Sequence, residues 1–178
     1  FIALFWRRGT DLLINNGLKS NRTEGMSMLA QLERLIGEVG NLNSKLILLV
    51  GDGRSGKTQL LRQIGAKLNI VPLNIGLELG RRLAAMQSND RGLSAGELLR
   101  EITDRERAED TLLLDNLELL FEPSLQLNPL DLIRRLAHSK SVVAVWPGKL
   151  RGDRLLYADI GHPEYRNYSR DGVVVLEI

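Results

Sequence analysis

Residues 51 to 58 read Gly-Asp-Gly-Arg-Ser-Gly-Lys-Thr and fit the phosphate-loop pattern G-x-x-x-x-G-K-[ST] at every fixed position. Glycines at these places let the backbone curl so that successive amide N–H groups face phosphate oxygens, and the start of the next helix adds a partial positive charge. Lys57 is expected to reach the β- and γ-phosphates, and the Thr58 hydroxyl to ligate Mg²⁺. Gly51, Asp52, Gly53, Arg54, Ser55, Gly56, Lys57, Thr58 and Gln59 are therefore the candidate residues for binding ATP. Lys57 is expected to stand exposed when no nucleotide is present. A glycine-rich turn is the plain alternative, but it would not account for all the fixed positions behind an apolar run.

The magnesium of such a site needs a carboxylate. Leu112-Leu113-Leu114-Asp115 delivers one at the end of an apolar segment, so Asp115 and Thr58 are the candidate metal ligands. The alternative role for Asp115 is a helix cap. Hydrolysis also needs a group that orients the attacking water. The position after Asp115 is Asn116, which cannot act as a base, and Glu118 is the nearest acid. Glu118 is otherwise a surface acid on the following turn. Trp146-Pro147 stands where a small polar residue would feel the γ-phosphate. Slow intrinsic turnover is expected from both features. Arg151 and Arg154 are candidates to complete a neighbouring copy's site, with Arg166, Arg170, Arg134 and Arg135 as alternatives. Each could equally be a solvated surface charge.

The elements that must hold these residues follow from periodicity. Met28 or Leu29, Leu32, Leu35, Ile36 and Val39 recur at helical spacing, and Gly40 to Ser44 closes that helix. Lys45–Val50 reads as the first strand and Thr58–Leu68 as its helix. Ile70–Ile75 is a second strand whose proline points to a sheet edge. Gly76–Met86 reads as helix and 88–92 as loop, with Ser94-Ala95-Gly96-Glu97 capping a further helix through about Arg107. Thr111–Asp115 is a third strand. Asn128-Pro129 caps a helix to Ala137, Ser141–Trp146 is a fourth strand, and Val173–Leu176 a fifth. Gly161-His162-Pro163-Glu164-Tyr165 reads as a structured loop, with His162 held extended before proline, and as a candidate interface.

Strands that are continuously apolar and alternate with helices predict a parallel sheet buried on both faces. A whole strand–helix unit lies between the loop strand and the Asp115 strand, which allows another strand to be inserted between them. The expected fold is α/β, a three-layer P-loop NTPase with a five-stranded parallel sheet. Its domain spans 26–178, and 1–25, where no period persists, is an N-terminal extension of uncertain origin.

The chain has 178 residues, suited to one domain, with 43% hydrophobic and 26% charged residues. It has no cysteine, which excludes disulfides and zinc-thiolate sites and agrees with a cytoplasmic protein. No apolar run is long enough to cross a bilayer, and Phe1–Trp6 lacks the flanks of a signal peptide. The net charge of +2 excludes a polycation. Between Arg134 and Arg170, however, eight Lys/Arg stand against only Asp153, Asp159 and Glu164, an excess that suits nucleotide, nucleic acid or an acidic partner.

From Met26 to Ile178 the chain resembles the BrxF family, small P-loop proteins of BREX bacteriophage-exclusion gene clusters. The resemblance rests on Gly51–Thr58, on Leu-Leu-Leu-Asp-Asn-Leu-Glu-Leu-Leu-Phe at 112–121, and on Gly161–Tyr165 before a terminal strand. More broadly the layout is similar to an AAA+ ATPase core. The sequence stops after its fifth strand, so a helical lid with its second arginine is not expected in it. The resemblance implies an accessory ATPase working with other phage-defence proteins on or near DNA, as a homo-oligomer or in a nucleotide-dependent complex, with DNA met through the complex and no membrane. Two other readings stay open: a small-molecule or nucleotide kinase, and a nucleotide sensor that binds without hydrolysing.

Overall fold

Leu46–Val50 is apolar at every position, and in the computed structural model, which describes residues 27–40, 45–105 and 110–178, it is the fully buried strand β1. Leu46, Leu48 and Val50 point into one core, and Ile47 and Leu49 into a second on the opposite face. The same alternation holds in β3 (Thr111–Asp115) and β4 (Ser141–Val145). Side chains alternate across a strand, so a run apolar throughout requires cover on both sides. Helices α1 (Met28–Val39) and α2 (Lys57–Leu68) supply Leu32, Val39, Leu60, Leu61 and Ile64 to one face. Helices α3 (Ile75–Ala84), α4 (Ser88–Arg105) and α5 (Pro129–Leu136) cover the other. Each fully buried Leu or Ile contributes about 1.5–3 kcal/mol.

The sheet is parallel and five-stranded, in the order β2-β3-β4-β1-β8, where β2 is Leu73–Asn74 and β8 is Val174–Glu177. β4 is the inserted strand: it pairs with β1 through Leu48↔Ala144 and with β3 through Leu113↔Val143. The loop after β1 and Asp115 at the end of β3 therefore open on the same edge, with the exit of β4 between them. Among the described residues no helix is long and apolar enough to cross a membrane.

Local chemistry sets the boundaries. Ser27 caps α1, Asn74 caps α3 by accepting from the Leu77 N–H at 2.9 Å, and Asn128 caps α5 ahead of Pro129. The second strand is shorter than the expected 70–75, with only two paired residues, and it lies at the edge, as Pro72 requires.

Two expectations need correction. Residues 88–92 are not a loop, and Ser94 does not cap a helix: α4 already begins at Ser88. Packing overrides the weak propensity of Gly92, whose missing Cβ leaves room for the Ser124 carbonyl, while Arg91 donates to the Met86 carbonyl and closes the turn from α3. Residues 149–169, where no strand is expected, form a three-stranded antiparallel sheet of β5 (Lys149–Arg151), β6 (Arg154–Tyr157) and β7 (Arg166–Ser169). Leu150, Leu155, Tyr157 and Tyr168 join it to the core on the α3–α5 face. Trp146 is the pivot. It is fully buried, donates its indole N–H to the Leu156 carbonyl at 3.2 Å, and packs edge-on to Phe121 and Tyr168.

The small sheet approaches β4 so closely that only glycine fits at 148. A Cβ there would lie 1.6 Å from the Leu156 carbonyl oxygen. Gly148→Ala must push the two sheets apart and is expected to destabilise the fold by about 3 kcal/mol, at the upper end of ordinary overpacking. Urea unfolding measures this directly, and an unchanged midpoint would show that the small sheet is not locked to the large one.

The alanine at 158 and the loop from 158 to 165 complete this region, with Ala158 at φ 57° and Gly161 at φ 96°. Residues 1–26, 41–44 and 106–109, the last including the expected helix end near Arg107, lie outside the described residues.

Candidate functional site

β1 ends at Val50, and the chain makes one tight turn before α2 begins at Lys57. Gly51 is required because a Cβ would stand 2.4 Å from the Ile178 carbonyl oxygen, and Gly56 because its φ is 92°. The Ser55 N–H donates to the Asp52 carbonyl at 3.0 Å and closes the turn. Gly56 caps α2 without a side chain, so the first amides of this helix have no side-chain acceptor. The Ser55 hydroxyl is buried with no partner among the described residues, a polar atom in the floor of the loop that lacks a hydrogen bond.

Lys57 is not exposed, contrary to expectation. It is only 9% accessible, because its side chain folds under the loop and donates to the carbonyls of Gly51 and Asp52, the latter at 2.8 Å. The reason is local: the loop turns the Gly51 and Asp52 carbonyls inward, within reach of the ammonium. Burial lowers the Lys57 pKa below the ordinary lysine value, opposed by the negative charges of Asp52 and Glu118.

Thr58 and Asp115, far apart in sequence, meet. The Thr58 hydroxyl donates to Asp115 Oδ1 at 3.2 Å, and the Asn116 N–H donates to the same oxygen at 3.0 Å. Asp115 is 7% accessible, and its Oδ2 has no donor among the described residues. Among those residues no three His, Cys, Asp or Glu side chains gather to hold a metal by themselves. One buried carboxylate beside one hydroxyl is instead the protein share of a site for a hard cation that takes its remaining oxygens from phosphate and water. The residues fit Mg²⁺ on that basis.

Asn116 has φ 55°, and this left-handed residue turns the chain back into a short 3₁₀ turn, Glu118–Phe121. Glu118 is exposed there, and its charge is felt at both Lys57 and Tyr157. The Asn116 carbonyl accepts from the Gly76 N–H at 2.9 Å and ties this turn to α3.

The arginines separate. Arg154 is held across the small sheet, with Nε donating to Asn167 Oδ1 at 2.7 Å. Arg134 donates to the Ser169 and Asp171 carbonyls, and Arg166 to the Tyr165 carbonyl. Arg151, opposite Arg154 at the end of the β5–β6 hairpin, is exposed and faces a cleft of about 420 Å³ that starts at Pro147. Tyr157 and Glu164 border this cleft and join through the Tyr157 hydroxyl, which donates to Glu164 at 3.1 Å. Burial first, and then that carboxylate, push the Tyr157 pKa up to about 12. Trp146, at the end of β4, is turned into the core and cannot face the loop.

Sequence reasoning names the phosphate loop, Asp115 and Glu118 but not Tyr157 as part of a cleft. The signal was the pair Gly152-Asp153 between Leu150 and Leu155, a two-residue hairpin turn that would have placed Tyr157 on a strand. Comparison with protein-family models, with curated proteins and with solved structures gives no match for this chain.

Proposed function

We propose that this protein binds Mg-ATP in the loop Gly51–Thr58 and hydrolyses it slowly, as a P-loop NTPase with an AAA+-like core. The observation that carries the reading is the Thr58–Asp115 contact: it places a buried carboxylate from β3 against the first turn of the helix that follows the loop. On this reading the free amides of the loop and of the α2 terminus hold phosphate oxygens. Lys57 exchanges its two carbonyl acceptors for the β- and γ-phosphates, and the Ser55 hydroxyl gains a partner. Thr58 and Asp115 hold Mg²⁺, which neutralises charge on the phosphates. Glu118 is the acid placed to orient water, and Asn116 supplies no base beside Asp115.

The wider role is an accessory ATPase of a BREX-like phage-defence complex, cytoplasmic, working with partner proteins on or near DNA. Support for it is the resemblance of Gly51–Thr58, 112–121 and Gly161–Tyr165 to BrxF proteins. An open loop without a strong base suits activation from outside, by a second copy or a partner that lends an arginine. The kinase reading gains one specific observation, a cleft large enough for a small molecule at the exit of β4.

Calorimetry with Mg-ATP, followed by phosphate release with and without DNA, tests the proposal. Tight, magnesium-dependent binding is expected, with turnover of the pure protein well below the ordinary ~10 s⁻¹. Absence of nucleotide binding would overturn the assignment. Fast turnover without partners would remove the accessory role.

A further inference from the structure

The exit of β4 opens a second feature that the phosphate loop does not use. Pro147 and Gly148 form one wall of the 420 Å³ cleft, β5 and β6 the floor, and the loop from 158 to 165 the rim. That volume lies within the range of small-molecule sites, roughly 300–1,000 Å³. The rim is built rather than loose. The His162 N–H donates to the Asp159 carbonyl at 3.0 Å, the Tyr165 N–H to the His162 carbonyl at 2.9 Å, and the Glu164 N–H to His162 Nδ1 at 3.2 Å. Arg166 braces it from below through the Tyr165 carbonyl. A preformed rim loses little entropy when a ligand enters.

The polar groups of the cleft divide into used and unused. Glu164 accepts the Tyr157 hydroxyl and is occupied. Because His162 Nδ1 accepts a hydrogen bond, the neutral ring carries its proton on Nε2 as a donor. Lys149 and Arg151 lie on the same side of β5, two residues apart, while Leu150 between them packs into the core. Among the described residues neither cation has a hydrogen-bond or ion-pair partner, and neither does the Asp159 carboxylate. Two adjacent cations, one of them a planar fork, match the oxygens of a phosphate monoester. Asp159, on the rim, matches an amine or hydroxyl of the ligand. Tyr165 and Pro147 offer apolar surface beside them, while the Tyr157 ring is taken up by Phe121, with centroids 3.8 Å apart.

We propose that this cleft is a second ligand site, distinct from the loop Gly51–Thr58, and that it takes a nucleoside monophosphate, with the phosphate on Lys149 and Arg151 and the nucleoside along Tyr165 and Pro147 toward Asp159. The site is built from residues other than Gly51–Thr58 and does not depend on the ATP reading. It gives Arg151 a ligand within its own chain, which takes that residue out of the candidates for a neighbour's site.

The test is calorimetric titration of the full chain, without ATP, with AMP, GMP, CMP and UMP separately, and with inorganic phosphate and ribose 5-phosphate as control arms. At least one monophosphate is expected to bind with Kd below ~1 mM, more tightly than either control. The double variant Lys149→Ala with Arg151→Ala, at exposed strand positions that leave the fold intact, should weaken it by about 10-fold or more. Lys57→Ala should leave it unchanged. No binding by any monophosphate overturns the proposal. So does binding that the double variant keeps and Lys57→Ala loses, because the phosphate loop would then be the site. Inorganic phosphate binding as tightly as the nucleotides would remove the nucleoside from the assignment.

Discussion

Lys57→Ala is expected to abolish measurable Mg-ATP binding while leaving the unfolding midpoint close to that of the wild type. The two halves of this expectation have different causes. In binding, the ammonium is the one full positive charge that the loop turns toward its own centre, through the Gly51 and Asp52 carbonyls. Hydrogen bonds between an ammonium and phosphate are charge-assisted, each worth about 1.5–3 kcal/mol. Losing contacts to two phosphates therefore lowers affinity by roughly 10²- to 10³-fold or more. In folding, the same group is held at a cost. Burial depresses its pKa, so the charged form is less comfortable in the folded protein than in water. Alanine removes that cost together with two hydrogen bonds, and the exposed Asp52 leaves its carbonyl open to water. The opposing terms nearly cancel. Calorimetry for ATP and thermal unfolding of the same sample check both halves. Unchanged ATP affinity would mean that the loop is a structural turn and that Lys57 merely closes it.

The second large effect is expected at Asp115. Asp115→Asn preserves the shape of the side chain and its carbonyl oxygen, so the bonds from Thr58 and from the Asn116 N–H can persist. What disappears is a buried negative charge. If Asp115 serves only to cap the turn that follows β3, the variant should behave as wild type with and without magnesium. If it helps hold Mg²⁺, affinity for Mg-ATP should fall by at least ~10-fold, while ATP without metal should bind as well or better, because a carboxylate no longer repels the phosphates. Titrations with magnesium and with a chelator separate the two outcomes, and equal effects in both would assign Asp115 to capping.

Much of this molecule is legible one segment at a time. Gly51–Thr58 declares its turn because its glycines answer a local need: Gly56 at φ 92°, and Gly51 beside the Ile178 carbonyl. Leu46–Val50 and Ser141–Val145 declare a sheet buried on both faces because every one of their positions is covered. Asn128-Pro129 declares a helix start because cap and proline act within one turn. These features depend on neighbours in sequence, and sequence preserves neighbours.

Other features were decided only when distant segments met. Ser88–Gly92 reads as a loop, yet it is helical because the turn at Ser124 packs on Gly92. Lys57 reads as exposed, yet it is drawn under the loop by two carbonyls whose direction no residue type reveals. Glu118 lies beyond the left-handed Asn116, and its charge acts on Lys57, 61 residues away in sequence, through space. The small sheet and its cleft depend on Gly148 leaving room for the Leu156 carbonyl and on the Trp146 indole N–H donating to the same oxygen from the core. Read segment by segment, the chain yields the turn at Gly51–Thr58, the buried strands and the carboxylate that ends one of them. The tertiary structure decided which side chains surround the loop and where the second cleft lies, because burial, close approach and electrostatic neighbourhood depend on separation in space, and the chain records only separation along itself.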